Sequence, residues 1–179
     1  MSCGHIFSPI SLFGILGFNL LLLVKYATFM QLCKTGWVHN VPAGTCLRVF
    51  VRTYAQSDYL SADAGCRSNF GGELSALLKI ENATVNQFLT TNVFSKHGIP
   101  FWIGLTDRDE QGTFRWQNDI PKATYLNWAP GQPSNGRCTY VRPDGRWATD
   151  ECHKPRLFIC EEFAGIVILP EQEYRSVIK

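Results

Sequence analysis

No Cys-x-x-Cys pair occurs in this 179-residue sequence, although it holds seven cysteines. That absence argues against a zinc ribbon and against a thioredoxin-like redox site. There is also no Gly-x-Ser-x-Gly, no P-loop, no Gly-x-Gly-x-x-Gly and no His-Glu-x-x-His. The residue sets that serve acyl transfer, nucleotide binding and zinc-dependent hydrolysis are missing, so nothing supports an enzyme. His5, His39, His97 and His153 show no ligand spacing. Cys33, His39 and Cys46 could be drawn as three zinc ligands, but a disulfide hairpin is the stronger reading. The formal charge is +2, with both signs scattered along the chain. It has no basic stripe of the kind that marks a nucleic-acid binder, and no acidic tail. Internal repeats and low-complexity runs are absent as well.

The cysteines are the strongest compositional signal: Cys3, Cys33, Cys46, Cys66, Cys138, Cys152 and Cys160. Cys3 lies in an apolar leader, which leaves six in the body of the chain. Six cysteines allow 15 pairings, and spacing alone does not choose among them. An even set behind an apolar leader points to an oxidising compartment. The alternative is six reduced cysteines used as small buried hydrophobes in the cytosol. The leader itself, Ile10 to Val24, runs 15 residues without a charge. That suits a signal-peptide core better than a spanning helix of about 20 residues. The flanks are less regular. Met1 to Pro9 carries no Lys or Arg, and Lys25 stands where a small residue should precede Ala27. Residues 1–30 are therefore read as a signal peptide or an uncleaved hydrophobic anchor. Lys25 and Lys34 would by themselves pull the following chain toward the cytosol. The cysteine set argues for the opposite topology and weighs more. The expected location is secreted, or membrane-anchored with the domain outside.

Periodicity places helices before strands. Ser57 is the expected N-cap of a helix over Asp58 to Asn69, with Tyr59, Ala62, Cys66 and Phe70 on its apolar face and Gly71-Gly72 ending it. A second helix is predicted from Ala83 to Phe94, capped by Asn82, with Val85, Phe88, Leu89 and Val93 or Phe94 as its stripe. Leu47 to Val51 has strand composition. After Pro100 come short runs rich in aromatic and β-branched residues, separated by Gly, Pro, Asn and Asp. Asp144-Gly145 reads as a hairpin turn between Tyr140-Val141 and Trp147. This is an α+β domain of two helices and short antiparallel sheets. Trp116 to Cys138 has little regular pattern and reads as one long loop, a common place for function. The tail, residues 164–179, carries Ile166-Val167-Ile168-Leu169 before Pro170, an edge strand or docking segment.

Several features together resemble the C-type lectin-like domain family. They are Cys66 on the first helix, the strand Phe101-Trp102-Ile103-Gly104-Leu105, and Asn127-Trp128 followed by Gly131-Gln132-Pro133. Next come the pair Cys138 and Cys152, Trp147 five residues before Cys152, and the closing Phe158-Ile159-Cys160-Glu161. The match covers residues 33–163, with four cysteines in register. The resemblance implies the disulfides Cys66–Cys160 and Cys138–Cys152. It implies Cys33–Cys46 as the extra hairpin of the long form. The Cys66–Cys160 bridge would close about 95 residues, worth ~4–5 kcal/mol in the chain-entropy model.

The family's sugar chemistry rests on calcium, which takes 6–8 oxygens, many of them from carboxylates. This sequence departs from that ligand set. Gln132 keeps one carbonyl, and Ser134 replaces an Asn or Asp. Asn135-Gly136-Arg137 before Cys138 contains no Glu, and Arg137 would repel a cation. Trp147-Ala148-Thr149 replaces the Trp-Asn-Asp signature. Asp150 comes one residue late, where strand alternation aims it to the other face. At a second position Asp107 remains as a remnant, with Gln111 where Glu is usual and Asn135 in place of Asp. The implied candidates for ligand contact are Gln132, Ser134, Asn135 and Asp150. No cofactor is required, and calcium is not expected at the usual site. Pro133 is the candidate for a cis bond that shapes the loop. Four of the five tryptophans, Trp102, Trp116, Trp128 and Trp147, are read mostly as core. Asn82-Ala83-Thr84 is a sequon, and so Asn82 is a candidate glycan site.

The leading expectation is an extracellular recognition module for a glycan or a protein, bound without the usual calcium. One alternative is a calcium-dependent lectin with an atypical site built from Gln132, Asn135 and Asp150. The other is an adhesive or structural secreted protein that uses the domain as scaffold. No nucleic-acid partner is expected, and a membrane only if the leader stays uncleaved.

Overall fold

The computed structural model describes residues 28–50, 56–70, 75–117, 119 and 121–169. The apolar leader, Cys3, Gly71-Gly72, Val51 and the tail beyond Leu169 lie outside them. In chain order the strands and helices begin with β1 (Thr28–Leu32), β2 (Val38–Asn40), β3 (Thr45–Phe50), α1 (Tyr59–Gly65), β4 (Ala76–Leu77) and α2 (Ala83–Leu89). They continue with α3 (Ser95–His97), β5 (Phe101–Thr106), β6 (Arg115–Trp116), β7 (Cys138–Val141), β8 (Trp147–Asp150), β9 (Leu157–Phe163) and β10 (Gly165–Leu169). Among the described residues no helix is long and apolar enough to cross a membrane.

Two compact units result. In the smaller, β1 and β10 pair antiparallel, from Thr28 opposite Leu169 to Leu32 opposite Gly165. The β-branched run Ile166-Val167-Ile168 is thus a strand. The larger unit, Cys33–Ala164, holds an eight-stranded sheet in the order β2-β3-β9-β5-β7-β8. There β4 adds to β9 and β6 to β5. The β5–β9 pair is parallel, so the sheet is mixed and not wholly antiparallel. A parallel pair needs a long crossover, and the chain between Asp107 and Arg156 supplies it.

Side-chain alternation explains how one sheet is covered on both faces. Along β5, Phe101, Ile103 and Leu105 enter a core with Val85, Leu89, Val93 and Phe94 from the α2 region. Trp102 points the other way, into a second core with Tyr59, Ala62 and Cys66 of the α1 region. β9 divides likewise, Leu157 and Ile159 to the first and Phe158 and Cys160 to the second. Gly104 interrupts the β5 pattern for a steric reason. A Cβ there would meet the Leu77 carbonyl oxygen at 2.8 Å. The close approach lets Gly104 N–H donate to Leu78 O at 2.9 Å.

Two helix boundaries differ from the sequence expectation. Asp58, not Ser57, caps α1: its Oδ1 accepts from Ser61 N–H at 2.9 Å. Ser57 is held in a bridge to Arg156 and accepts from Trp102 Nε1 at 3.1 Å, so the helix starts one residue later. After Gly65 the turns widen to π type over Cys66–Phe70. The second helix widens likewise at Thr90–Phe94, then continues through α3 to Gly98 at φ 65. Asn82 caps it, with Oδ1 accepting from Val85 N–H at 2.9 Å. The extra residues Ser95, Lys96 and His97 are exposed and so carried no apolar signal.

Three disulfides join Cys33 to Cys46, Cys66 to Cys160 and Cys138 to Cys152. Cys66–Cys160 ties the α1 region to β9 across 94 residues. Cys138–Cys152 closes the β7–β8 hairpin.

Candidate functional site

The long loop between β6 and β7 is ordered by backbone bonds to β8. Trp147 N–H donates to Asn127 O and Ala129 N–H to Trp147 O, both at 2.8 Å. Trp147 is the hub beneath it. Its ring is fully buried, and Trp116, Tyr125 and Trp128 meet it edge-on at centroid separations of 5.5–6.1 Å. Its Nε1 donates to Asn86 Oδ1 of α2 at 3.1 Å. Asn86 carried no sequence signal for this role, being one polar residue in a helix. Trp102 and Trp116 are core as expected. Trp128 is half-buried, packed on Phe114 at 4.8 Å.

Gln132-Pro133 is a cis peptide bond, and the Gln132 side-chain amide is bonded to β8. Gln132 Oε1 accepts from Thr149 N–H at 2.8 Å, Thr149 Oγ1 at 3.3 Å and Ser134 N–H at 3.2 Å. Ser134 N–H also donates to Thr149 Oγ1 at 2.8 Å, and its hydroxyl lies 3.4 Å from Thr149 O. Gln132, Ser134 and Thr149 thus satisfy one another. Asn135 is exposed, with no side-chain hydrogen bond among the described residues. Gly136 presses on β8, where a Cβ would meet Asp150 backbone atoms at 2.2–2.3 Å.

The two carboxylates stand apart from this trio. Asp150 faces Lys154 Nζ at 2.7 Å and Arg156, which also donates to it. Burial would raise the Asp150 pKa, but the bonds from Lys154, Glu151 N–H and Arg156 outweigh it and hold the carboxyl below its ordinary value. The Arg156 guanidinium in turn lies 3.9 Å from the Tyr140 ring centroid and 5.0 Å from that of Trp102. Asp107 is buried, and Arg137 Nε donates to its Oδ1 at 3.1 Å and Gly112 N–H to its Oδ2 at 2.8 Å. The structure therefore brings Gln132 and Ser134 together, leaves Asn135 free, and turns Asp150 toward cations of the chain itself. Sequence reading names Thr149 only as a replacement in the Trp-Asn-Asp signature and does not name Arg156; their bonds to Gln132 and Asp150 come from the fold. Neither stands at a position where the ligand pattern looks for a side chain of its type.

Two clefts open elsewhere on this unit. One of 540 Å³ is lined by Thr106, Arg108, Arg115, Trp116 and Gln117 among others. The other, of 390 Å³, lies between Pro42-Ala43, Lys79-Glu81-Asn82 and Phe163. Neither includes Gln132, Ser134, Asn135 or Asp150.

Comparison with known proteins agrees with this fold. The chain is 28% identical to human C-type lectin domain family 10 member A over 147 residues, 74% of this chain and 46% of that protein. It thus spans about half the length of that curated relative. The fold matches the carbohydrate-recognition domain of mouse scavenger receptor C-type lectin with a TM-score of 0.63 and 25% identity, covering 75% of this chain and 99% of that one. It also matches a calcium-independent type II antifreeze protein with a TM-score of 0.62 and 21% identity, covering 75% and 97%. Residues 55–162, more than half of the sequence, match the model of the lectin C-type domain, and the chain belongs to that family.

Proposed function

We propose that this protein is an extracellular recognition module that binds a glycan or a protein through its long-loop face without calcium at the usual position. Its role is binding and not catalysis. One observation carries the reading: the Gln132 amide oxygen is held by Thr149 and Ser134, and the carboxylates are held by cations of the chain itself. Gln132 Oε1 accepts three bonds from Thr149 and Ser134, and both nearby carboxylates are paired with Arg137, Lys154 and Arg156. Calcium needs several anionic oxygens, so these residues do not fit it. The exposed Asn135, the exposed Leu126 and the half-buried Trp128 give the face polar and apolar contact points. Three disulfides support a secreted location, or a membrane-anchored one with the domain outside the cell.

Glycan and protein arrays probed with the full chain, with and without chelator, test this. The expected result is equal binding in both. Thermal scans in EDTA and in millimolar calcium should differ little, because stabilisation follows RT ln(1 + [L]/Kd). A rise of several degrees in calcium, abolished by Gln132→Ala, would restore the calcium-dependent lectin reading.

A further inference from the structure

We propose that Asn82 is the acceptor of an N-linked glycan, on an amide that caps the second helix at the same time. The proposal rests on the extracellular reading above. Asn82-Ala83-Thr84 is the one Asn-x-Ser/Thr sequence in the chain. A tripeptide alone is weak, but its presentation here is specific. Asn82 and Thr84 are both exposed. The Asn82 backbone is extended, with φ −157 and ψ 169. Its Oδ1 accepts the Val85 N–H at 2.9 Å, which fixes the amide with Nδ2 left over. Neither that nitrogen nor the Thr84 hydroxyl has a hydrogen bond among the described residues. Glycosylation replaces one hydrogen on Nδ2 and leaves Oδ1 in place, so the cap survives the modification.

The bond change is a substitution at a sugar carbon. The donor is an oligosaccharide linked through C1 to a lipid diphosphate. The C1–O bond breaks, the diphosphate leaves with the electron pair, and a C1–Nδ2 bond forms. The amide proton is lost to base and nothing is oxidised. The glycan would stand at the rim of the 390 Å³ cleft, whose lining includes Asn82 and also Phe163, a side chain 77% exposed.

The test is expression of the full chain in a human secretory cell line. The secreted protein should carry one glycan increment, removed by peptide N-glycosidase with conversion of Asn82 to Asp in the peptide map. Thr84→Ala and Asn82→Asp should be secreted without the increment, and Thr84→Ser should keep it. Removal of the glycan by the enzyme leaves the same carboxylate that Asn82→Asp introduces, so this variant should melt with the deglycosylated protein. This shows that loss of the increment is not loss of the fold. A secreted protein with three disulfides and an unmodified Asn82 would overturn the proposal while leaving the extracellular reading intact. Retention in the cytosol with reduced cysteines would overturn both.

Discussion

Glu161 follows Cys160 on β9, opposite Leu47 of β3 and Ala76 of β4. Thr45 Oγ1 donates to it at 2.5 Å and Lys79 N–H at 2.8 Å. Burial still dominates and holds the carboxyl above its ordinary value of 4.5. A group whose pKa is raised on folding stabilises fully below its unfolded value, and that contribution fades as pH rises through the folded value. Asp150 and Asp58 are lowered on folding, so theirs is present above the unfolded value and is lost in acid. Glu161→Gln keeps an oxygen for Lys79 N–H and offers an N–H to Thr45. It should leave the fold intact, raise stability at pH 7 relative to wild type, and remove part of the loss seen as pH rises above 4.5. Urea denaturation across pH 4 to 8 measures this, and a drop at pH 7 would contradict it. None of this was legible in the sequence, where Glu161 appears only as the residue after the last cysteine.

The β7–β8 hairpin shows how an element is placed. Asp144-Gly145 announced the turn in the sequence, and the strands pair from Cys138 opposite Asp150 to Val141 opposite Trp147. The sequence could not say what the turn would touch. Gly145 sits at φ 78, and a Cβ there would meet Thr90 Oγ1 at 2.0 Å. Its carbonyl accepts from Asn127 Nδ2 at 2.8 Å. The tip is thus fixed between the second helix and the long loop. Gly145→Ala should lower stability by ~1–3 kcal/mol, through left-handed backbone strain together with overpacking. Adding Thr90→Ala should recover the overpacking part and leave the backbone part. Chemical denaturation of both variants tells the two apart, and full recovery would mean that φ contributes nothing.

For the whole molecule, the disulfides rank by the chain they close. The Cys66–Cys160 bridge spans 94 residues, and both cysteines are fully buried between the α1 region and β9. Cys33–Cys46 spans 13. The chain-entropy model gives about 4–5 kcal/mol for a loop near 100 residues and about 3 for one near 15. The double Cys→Ala variant at 66 and 160 should therefore lose more stability than the one at 33 and 46, measured by guanidinium denaturation. The reverse order would show that strain or residual unfolded structure outweighs loop entropy. The sequence by itself determined the α+β class, because apolar spacing of three and four in the helices, and β-branched and aromatic runs between turn residues, are local information. The hairpin turn and the Asn82 cap were written there too. The pairing of six cysteines was not, since spacing leaves every combination open until the family resemblance is admitted. Only the tertiary structure decided the state of the loop. Gln132 and Thr149 are 17 residues apart, and Asp107 and Arg137 are 30 apart. Whether an oxygen is free for a ligand depends on which distant donor the fold brings to it, and no local pattern encodes that.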